Sequence, residues 1–262
     1  MSKNARSQLP VLLTRWRNRL RYVLAAPFVY RNWWDVFRAK NRSKPTVLVL
    51  RNGIKYLIRR HTTDLAIINE ASILNPYLAP GYLTVPPNGT VVDVGANIGD
   101  FTMQASRLCP DGLVYAIEPM AANCDSMRQQ VELNQAGNVR IVQLALGAEE
   151  GELELHEAGV QSSAYFGEGK IERVRMTTLS SFMCEHDIAF IDLLKLDCEG
   201  AEWDILPAAE DILARVRQLC LEYHNGKLNS EWLEGWLKKN GYTVFRTSEP
   251  WNGLLWAWRP SS

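Results

Sequence analysis

One run constrains this chain more than any other: Val91-Val92-Asp93-Val94-Gly95-Ala96-Asn97-Ile98-Gly99-Asp100-Phe101-Thr102. The segment Thr90–Val94 is a nearly continuous apolar stretch of β-branched residues, the pattern of a strand buried on both faces. Gly95 and Gly99 permit a tight turn and close backbone approach, and a helical pattern begins at about residue 98. A buried strand, a glycine turn and a helix form the opening unit of an α/β fold. The spacing D-x-G-x-N-x-G departs from G-x-G-x-x-G, so a pyrophosphate cradle is not the first expectation.

The remainder of the chain repeats that alternation. Apolar strand-like runs at Thr90–Val94, Leu113–Glu118, Val139–Ala145, Ile191–Asp197 and Gln218–Tyr223 alternate with helical stretches near 98–108, 120–136, 202–214 and 229–240. Such alternation predicts a doubly wound, mainly parallel sheet covered on both faces. Thr243–Thr247 and Leu254–Arg259 are close enough in sequence to form a late antiparallel pair. Upstream, Val47–Leu50 and Ile54–Arg59 flank Asn52-Gly53, a hairpin signature. Residues 64–79 read as a helix ending before Pro80-Gly81, and Pro86-Pro87-Asn88-Gly89 is a break. The expected organisation is a basic arm over 1–45, a hairpin and helix over 46–89, and the α/β domain over 90–262.

With 47% hydrophobic and 22% charged residues the chain is not disordered, and its 262 residues suffice for a large core. Five cysteines, an odd number with no C-x-x-C pair, exclude a tidy disulfide framework and fit a reducing, cytoplasmic setting. The net charge of zero conceals an asymmetry. Residues 1–60 hold 15 Lys and Arg against the single acid Asp35, a net of +14; residues 61–262 hold 14 against 28, a net of −14. The longest charge-free stretch of the arm, Tyr22–Tyr30, has nine residues, against about 20 for a membrane span. Arg15, Arg17, Arg19 and Arg21 interrupt the apolar run that a signal peptide requires. On a helix of about 100° per residue, Leu12, Leu13, Trp16, Leu20, Val23 and Leu24 share one arc. Val29, Tyr30, Trp33, Trp34, Val36 and Phe37 share one side of a second helix after Pro27. Three readings stay open for residues 11–38: an arm packed on its own domain, an interfacial anchor peripheral to the inner surface of an anionic membrane, and, least supported, a nucleic-acid contact.

The candidate site residues fall at the carboxyl ends of the predicted strands, where open α/β sheets bind their ligands. Glu118, at the end of the second strand and 25 residues after Asp93, is placed to accept hydrogen bonds from ribose hydroxyls. Strand alternation points Lys195 and Asp197 to one face. His224 follows the fifth strand, where a neutral imidazole would serve as a general base at pH 7. Asp197 is the alternative base. Glu199 and Glu202 open the next helix and favour its dipole; three acids without a histidine (Asp197, Glu199, Glu202) speak against a metal site, and none is expected. Ser162-Ser163-Ala164-Tyr165 and Trp251-Asn252-Gly253 are candidate walls of an acceptor pocket.

Four pieces of the chain resemble the FkbM-type methyltransferases: Val91–Thr102; Ile117-Glu118-Pro119; Ala145-Leu146-Gly147 leading to Gly151; and Ile191-Asp192-Leu193-Leu194-Lys195-Leu196-Asp197-Cys198-Glu199-Gly200-Ala201-Glu202. The family commonly has Ile where Cys198 stands. The upstream Leu50-Arg51-Asn52-Gly53 and Ile67-Ile68-Asn69-Glu70 also resemble what precedes the domain there, so the likeness spans roughly 48–258. It implies a seven-stranded, Rossmann-like methyltransferase sheet with S-adenosylmethionine as cofactor. It implies that Asp93, Gly95, Ala96, Asn97 and Gly99 hold the amino-acid end of that cofactor, Glu118 the ribose, and Ala145 and Leu146 the adenine. It further implies methyl transfer, usually to an oxygen of a sugar, lipid-linked glycan or other small molecule; His224, Asp197 and Lys195, placed at the strand ends, are the catalytic candidates for it. The competing readings are an NAD-dependent oxidoreductase of related architecture, which lacks its G-x-G-x-x-G, and a catalytically idle scaffold that binds a membrane or partner.

Overall fold

The computed structural model describes residues 21–39, 45–78, 81–156, 171–224, 228–249 and 252–259. Two compact units divide the chain, residues 1–75 and 76–262. In the first, helix α1 (21–29) and helix α2 (Trp33–Ala39) precede a hairpin of β1 (Thr46–Val49) and β2 (Lys55–Ile58), paired in register from Thr46↔Ile58 to Val49↔Lys55. The expected Asn-Gly turn forms: Asn52 Oδ1 accepts from Ile54 N at 3.1 Å, and Gly53 adopts φ 96°. Helix α1 runs through Pro27 rather than stopping at it. The break comes at Tyr30, which leaves the helix to bridge Leu50, with Arg31 N donating to Val49 O and Arg51 N to Val29 O.

The predicted helix over 64–79 is shorter and irregular. Helix α3 (Asp64–Asn69) widens into a π-helical turn at Glu70–Leu74, and Asn75 ends it at φ 45°. Asp64 is buried at its start, where Arg59 donates to the carboxylate through N, Nε and Nη2.

The second unit is built on a seven-stranded sheet. Its strands are β3 (Thr90–Val94), β4 (Leu113–Ile117), β5 (Val139–Val142), β9 (Leu193–Leu196), β10 (Gln218–Tyr223), β11 (Thr243–Arg246) and β12 (Gly253–Trp258). Their order is β11-β12-β10-β9-β3-β4-β5. All neighbours are parallel except that β12 runs antiparallel to both β10 and β11. The expected late pair is therefore present, with Leu255 fully buried in it. Helices α4 (Asp100–Leu108), α5 (Ala121–Asn134), α7 (Glu202–Ala208) and α8 (Ser230–Lys239) occupy the predicted connections. The main core packs Val92, Val94, Leu194, Leu196, Leu219 and Leu221, on alternate strand positions, with Ile205 and Leu206 of α7 and Leu233 and Leu237 of α8.

A second, three-stranded sheet was not foreseen. The run predicted as one strand over Val139–Ala145 divides: β5 ends at Val142, and β6 (Ala145–Leu146) pairs with β8 (Ile171–Thr177), which pairs antiparallel with β7 (Gly151–His156). Helix α6 (Leu179–Glu185) follows, capped by the Thr178 hydroxyl accepting from Ser181 N. The order of the main sheet reverses at β3. From there the chain passes outward through β4 and β5 and then crosses to β9, so the carboxyl ends of β3 and β9 lie side by side at a topological switch point.

Candidate active site

The turn after β3 is fixed by its neighbours. Gly95 N and Ala96 N both donate to Ile117 O at 3.0 Å, drawing the turn against the end of β4. Gly95, Asn97 and Gly99 have φ of 71°, 49° and 84°. At Gly95 the need is also steric: a Cβ there would fall 1.8 Å from Asp197 O, so only glycine lets the ends of β3 and β9 approach this closely. Asn97 N donates to Glu118 Oε2 at 2.9 Å.

Glu118 is buried, and burial raises its carboxyl above the usual range against the opposing hydrogen bonds. Its Oε1 accepts from Met120 N at 3.1 Å and Asn123 Nδ2 at 3.2 Å. Of about four lone-pair sites on a carboxylate, these bonds and that from Asn97 leave one, on Oε2. The residue thus ties the turn to α5 and keeps a single acceptor for a ligand, not the two that the sequence suggested.

Asp93 turns inward. It is fully buried, takes a hydrogen bond from Thr102 Oγ1 at 2.6 Å, and lies 3.1 Å from Lys195 Nζ. It holds the turn and does not reach out of it. Lys195 is enclosed as well: its ammonium donates to Gly95 O at 2.9 Å, sits 3.8 Å from Asp197 Oδ2, and lies over the Tyr77 ring at 5.3 Å. Desolvation works against its charge, but Asp93, Asp197 and Asp100 together outweigh it and hold the ammonium above its ordinary range. Among the predicted catalytic trio Lys195 is the correction, because a fully enclosed, charged ammonium neither exchanges protons near pH 7 nor meets an acceptor. Its place is to clamp the strand ends. Asp100, at the start of α4, is pushed up to about 7 by desolvation, with Lys195 opposing and Asp93 and Asp197 adding to the rise.

His224 and Asp197 are brought together, Nε2 to Oδ1 at 4.0 Å. The imidazole is more heavily surrounded by acids than the sequence implied. Its Nδ1 meets Glu202 Oε1 at 3.2 Å, while Glu199 Oε2 and Glu222 Oε1 each lie 3.8 Å from Nε2. Desolvation lowers the imidazolium's stability, yet Glu202, Glu222 and Asp197 reverse it and raise the pKa to about 9. The ring is therefore an imidazolium at pH 7, not the neutral base expected. Glu202 itself is buried and accepts from Cys198 N at 2.6 Å and Gly200 N at 2.9 Å, closing the turn that leads into α7.

Asp197, Glu202 and His224 present ligand atoms all within 4.8 Å of one another, close enough to hold a divalent cation. The sequence reading has three acids and no histidine here; the fold adds His224 to the group, while Glu202 already accepts through both oxygens from backbone N–H groups. Ala145 and Leu146 are buried in the small sheet beside Met176 and Thr177. Residues 162–165 and Trp251 lie outside the described residues. Tyr77, absent from the sequence reading, donates its hydroxyl to Asp197 Oδ2 at 2.8 Å, and its carbonyl accepts from Trp256 Nε1 at 2.9 Å. No local pattern announces a contact across 120 residues. Glu222 had a signal, being two residues before His224 on a strand end.

The sequence profile of the methyltransferase FkbM domain matches residues 93–244, more than half of the chain. The chain belongs to the FkbM methyltransferase family. The matched span begins at Asp93 and takes in the turn, Glu118, Asp197, Glu202 and His224. Methyltransferase 1 of Beauveria bassiana is 28% identical over 150 residues, 48% of this chain and 60% of that protein. The 31-O-demethyl-FK506 methyltransferase FkbM of Streptomyces tacrolimicus is 27% identical over 211 residues, covering 66% and 80%. The crystal structure of methyltransferase FkbM from Methylobacillus flagellatus superposes with a TM-score of 0.53 at 16% identity over 74% of this chain and 53% of that one, a likeness of fold. The chain thus spans 60% of the length of the fungal relative and about half of the solved one.

Proposed function

We propose that this protein transfers a methyl group from S-adenosylmethionine to a hydroxyl oxygen of a sugar, lipid-linked glycan or other small molecule. The observation that carries the reading is the Glu202–His224 pair. Glu202 engages Nδ1, so the ring presents Nε2 beside Asp197 at the switch point of the sheet. The Streptomyces relative, a 31-O-demethyl-FK506 methyltransferase, supports oxygen as the atom methylated.

The residues fit the cofactor. The left-handed turn at Gly95–Gly99 admits a ligand backbone-close, Glu118 Oε2 retains one acceptor for a ribose hydroxyl, and Asp197 offers a carboxylate near the turn. When bound, S-adenosylmethionine supplies a methyl group on a sulfonium, labile to in-line attack by oxygen. The protein's share is alignment and proton removal. Tyr77 and Lys195 fix Asp197, Asp197 orients the acceptor hydroxyl, and His224 Nε2 takes its proton once the imidazolium has been deprotonated by solvent. The forming imidazolium is stabilised by Glu202, as a buried carboxylate stabilises the histidine of a hydrolase triad.

The test is transfer of labelled methyl to a panel of hydroxylated glycans and metabolites. Incorporation that disappears when the hydroxyl is replaced by hydrogen supports the reading. Incorporation only into amines or carbon acids would overturn the oxygen assignment.

A further inference from the structure

Helices α1 and α2 are committed on one side only. Ala26, Tyr30 and Val36 are buried; the Tyr30 hydroxyl donates to Asn69 Oδ1 at 2.8 Å, and the Asn32 side chain bonds Val47 O and Val49 N at 2.8 Å each. The other side is apolar and exposed. Phe28 is 80% exposed, Leu24 62% and Trp34 60%, with Val23 and Phe37 also exposed. Leu24 and Phe28 stand one helical turn apart, and Arg21 precedes Leu24 by three residues, so all three share a face. In α2, Trp34 stacks on Trp33 at 3.7 Å, and Phe37 stands edge-on to Trp33 at 6.1 Å.

Apolar residues scattered singly over a surface are ordinary. Here five lie within residues 23–37, interleaved with the exposed Arg21, Arg31 and Arg38. They belong to the first 60 residues of the chain, which carry 15 cations and one acid. Among the described residues no helix is long and apolar enough to cross a membrane. Two short, one-sided helices with bulky apolar groups and arginines outward match the chemistry of a surface-lying element: the apolar groups enter the acyl boundary, and the guanidiniums meet headgroup phosphates. A nucleic acid would account for the arginines but leaves Leu24, Val23 and Phe28 without a partner.

We propose that α1 and α2 seat this protein on an anionic lipid surface, with Leu24, Phe28, Trp34 and Phe37 as the inserting groups and Arg21, Arg31 and Arg38 at the headgroups. The proposal stands independently of the reaction proposed above. It is tested by co-sedimenting the full chain with phosphatidylcholine vesicles, with and without phosphatidylglycerol. Binding is expected to be stronger with the anionic lipid and to fall at about 1 M salt, where the Debye length is about 3 Å, to the weaker apolar part that neutral vesicles also show. The triple variant Leu24→Ser, Phe28→Ser, Trp34→Ser should lose at least about tenfold in binding with its thermal transition unchanged, since all three side chains are exposed. A second variant, Arg21→Gln with Arg38→Gln, should lose the salt-sensitive part alone. Three results would overturn the proposal: equal binding to neutral and anionic vesicles, tighter binding to duplex DNA that the triple variant retains, or a concentration-dependent dimer that the triple variant abolishes.

Discussion

His224 Nδ1 lies 3.2 Å from Glu202 Oε1, and the same oxygen accepts from Cys198 N at 2.6 Å. One buried carboxylate therefore both closes the turn that leads into α7 and sets the ring that follows β10. The two elements are separate in sequence, so the register between β9 and β10 fixes this contact, with Leu221 opposite Leu196.

The first prediction concerns pH. The imidazolium of His224 is held up to about 9 against an ordinary 6.5. The folded state thus favours the charged form, which stabilises the fold fully below about pH 6.5 and ceases to do so as pH rises through about 9. The difference corresponds to on the order of 3 kcal/mol. Methyl transfer should rise with pH up to about 9, because the base is the deprotonated ring. In Glu202→Gln the rise should move to lower pH; NMR titration of His224 and the rate profile read the same shift.

Tyr77→Phe removes the hydroxyl that holds Asp197. A hydrogen bond to a charged group is worth about 1.5–3 kcal/mol. The expected outcome is a tenfold or larger fall in kcat with little change in cofactor affinity, measured by steady-state kinetics beside calorimetry.

Lys195→Met leaves Asp93 and Asp197 facing one another without their shared cation. Breaking a buried pair by removing one partner costs about 3–5 kcal/mol. Chemical denaturation should show a loss of that size, with part of it recovered when Asp93→Asn is added.

Gly95→Ala combines a positive φ with a Cβ placed 1.8 Å from Asp197 O. The backbone strain alone is about 1–2 kcal/mol, and the clash adds to it. Gly137→Ala meets nothing within 4 Å and serves as the near-neutral control in the same denaturation series.

Much of this was legible in the sequence, and the reasons are physical. β3 and β10 were read to the residue, because buried parallel strands are continuous apolar runs that polar loops must interrupt. Gly95 and Gly99 declared themselves through the tight turn that glycine permits, whereas the left-handed backbone of Asn97 emerges only in the fold. The small sheet is not among the predicted elements although Glu152-Leu153-Glu154-Leu155 alternates at period two, the pattern of a strand with one polar face such as β7. The charge states could not be read at all. A lone histidine after a strand looks neutral until folding gathers Glu199, Glu202, Glu222 and Asp197 around it. The same holds for Lys195, which alternation placed beside Asp197 but whose enclosure depends on Tyr77 and Asp93.

The most direct test is calorimetric titration of the full chain with S-adenosylhomocysteine, repeated on Glu118→Ala. The account predicts one site, with affinity reduced about ten- to hundredfold in the variant, the value of one hydrogen bond to a charged acceptor. No binding to the unaltered chain, or equal binding to both proteins, would contradict it.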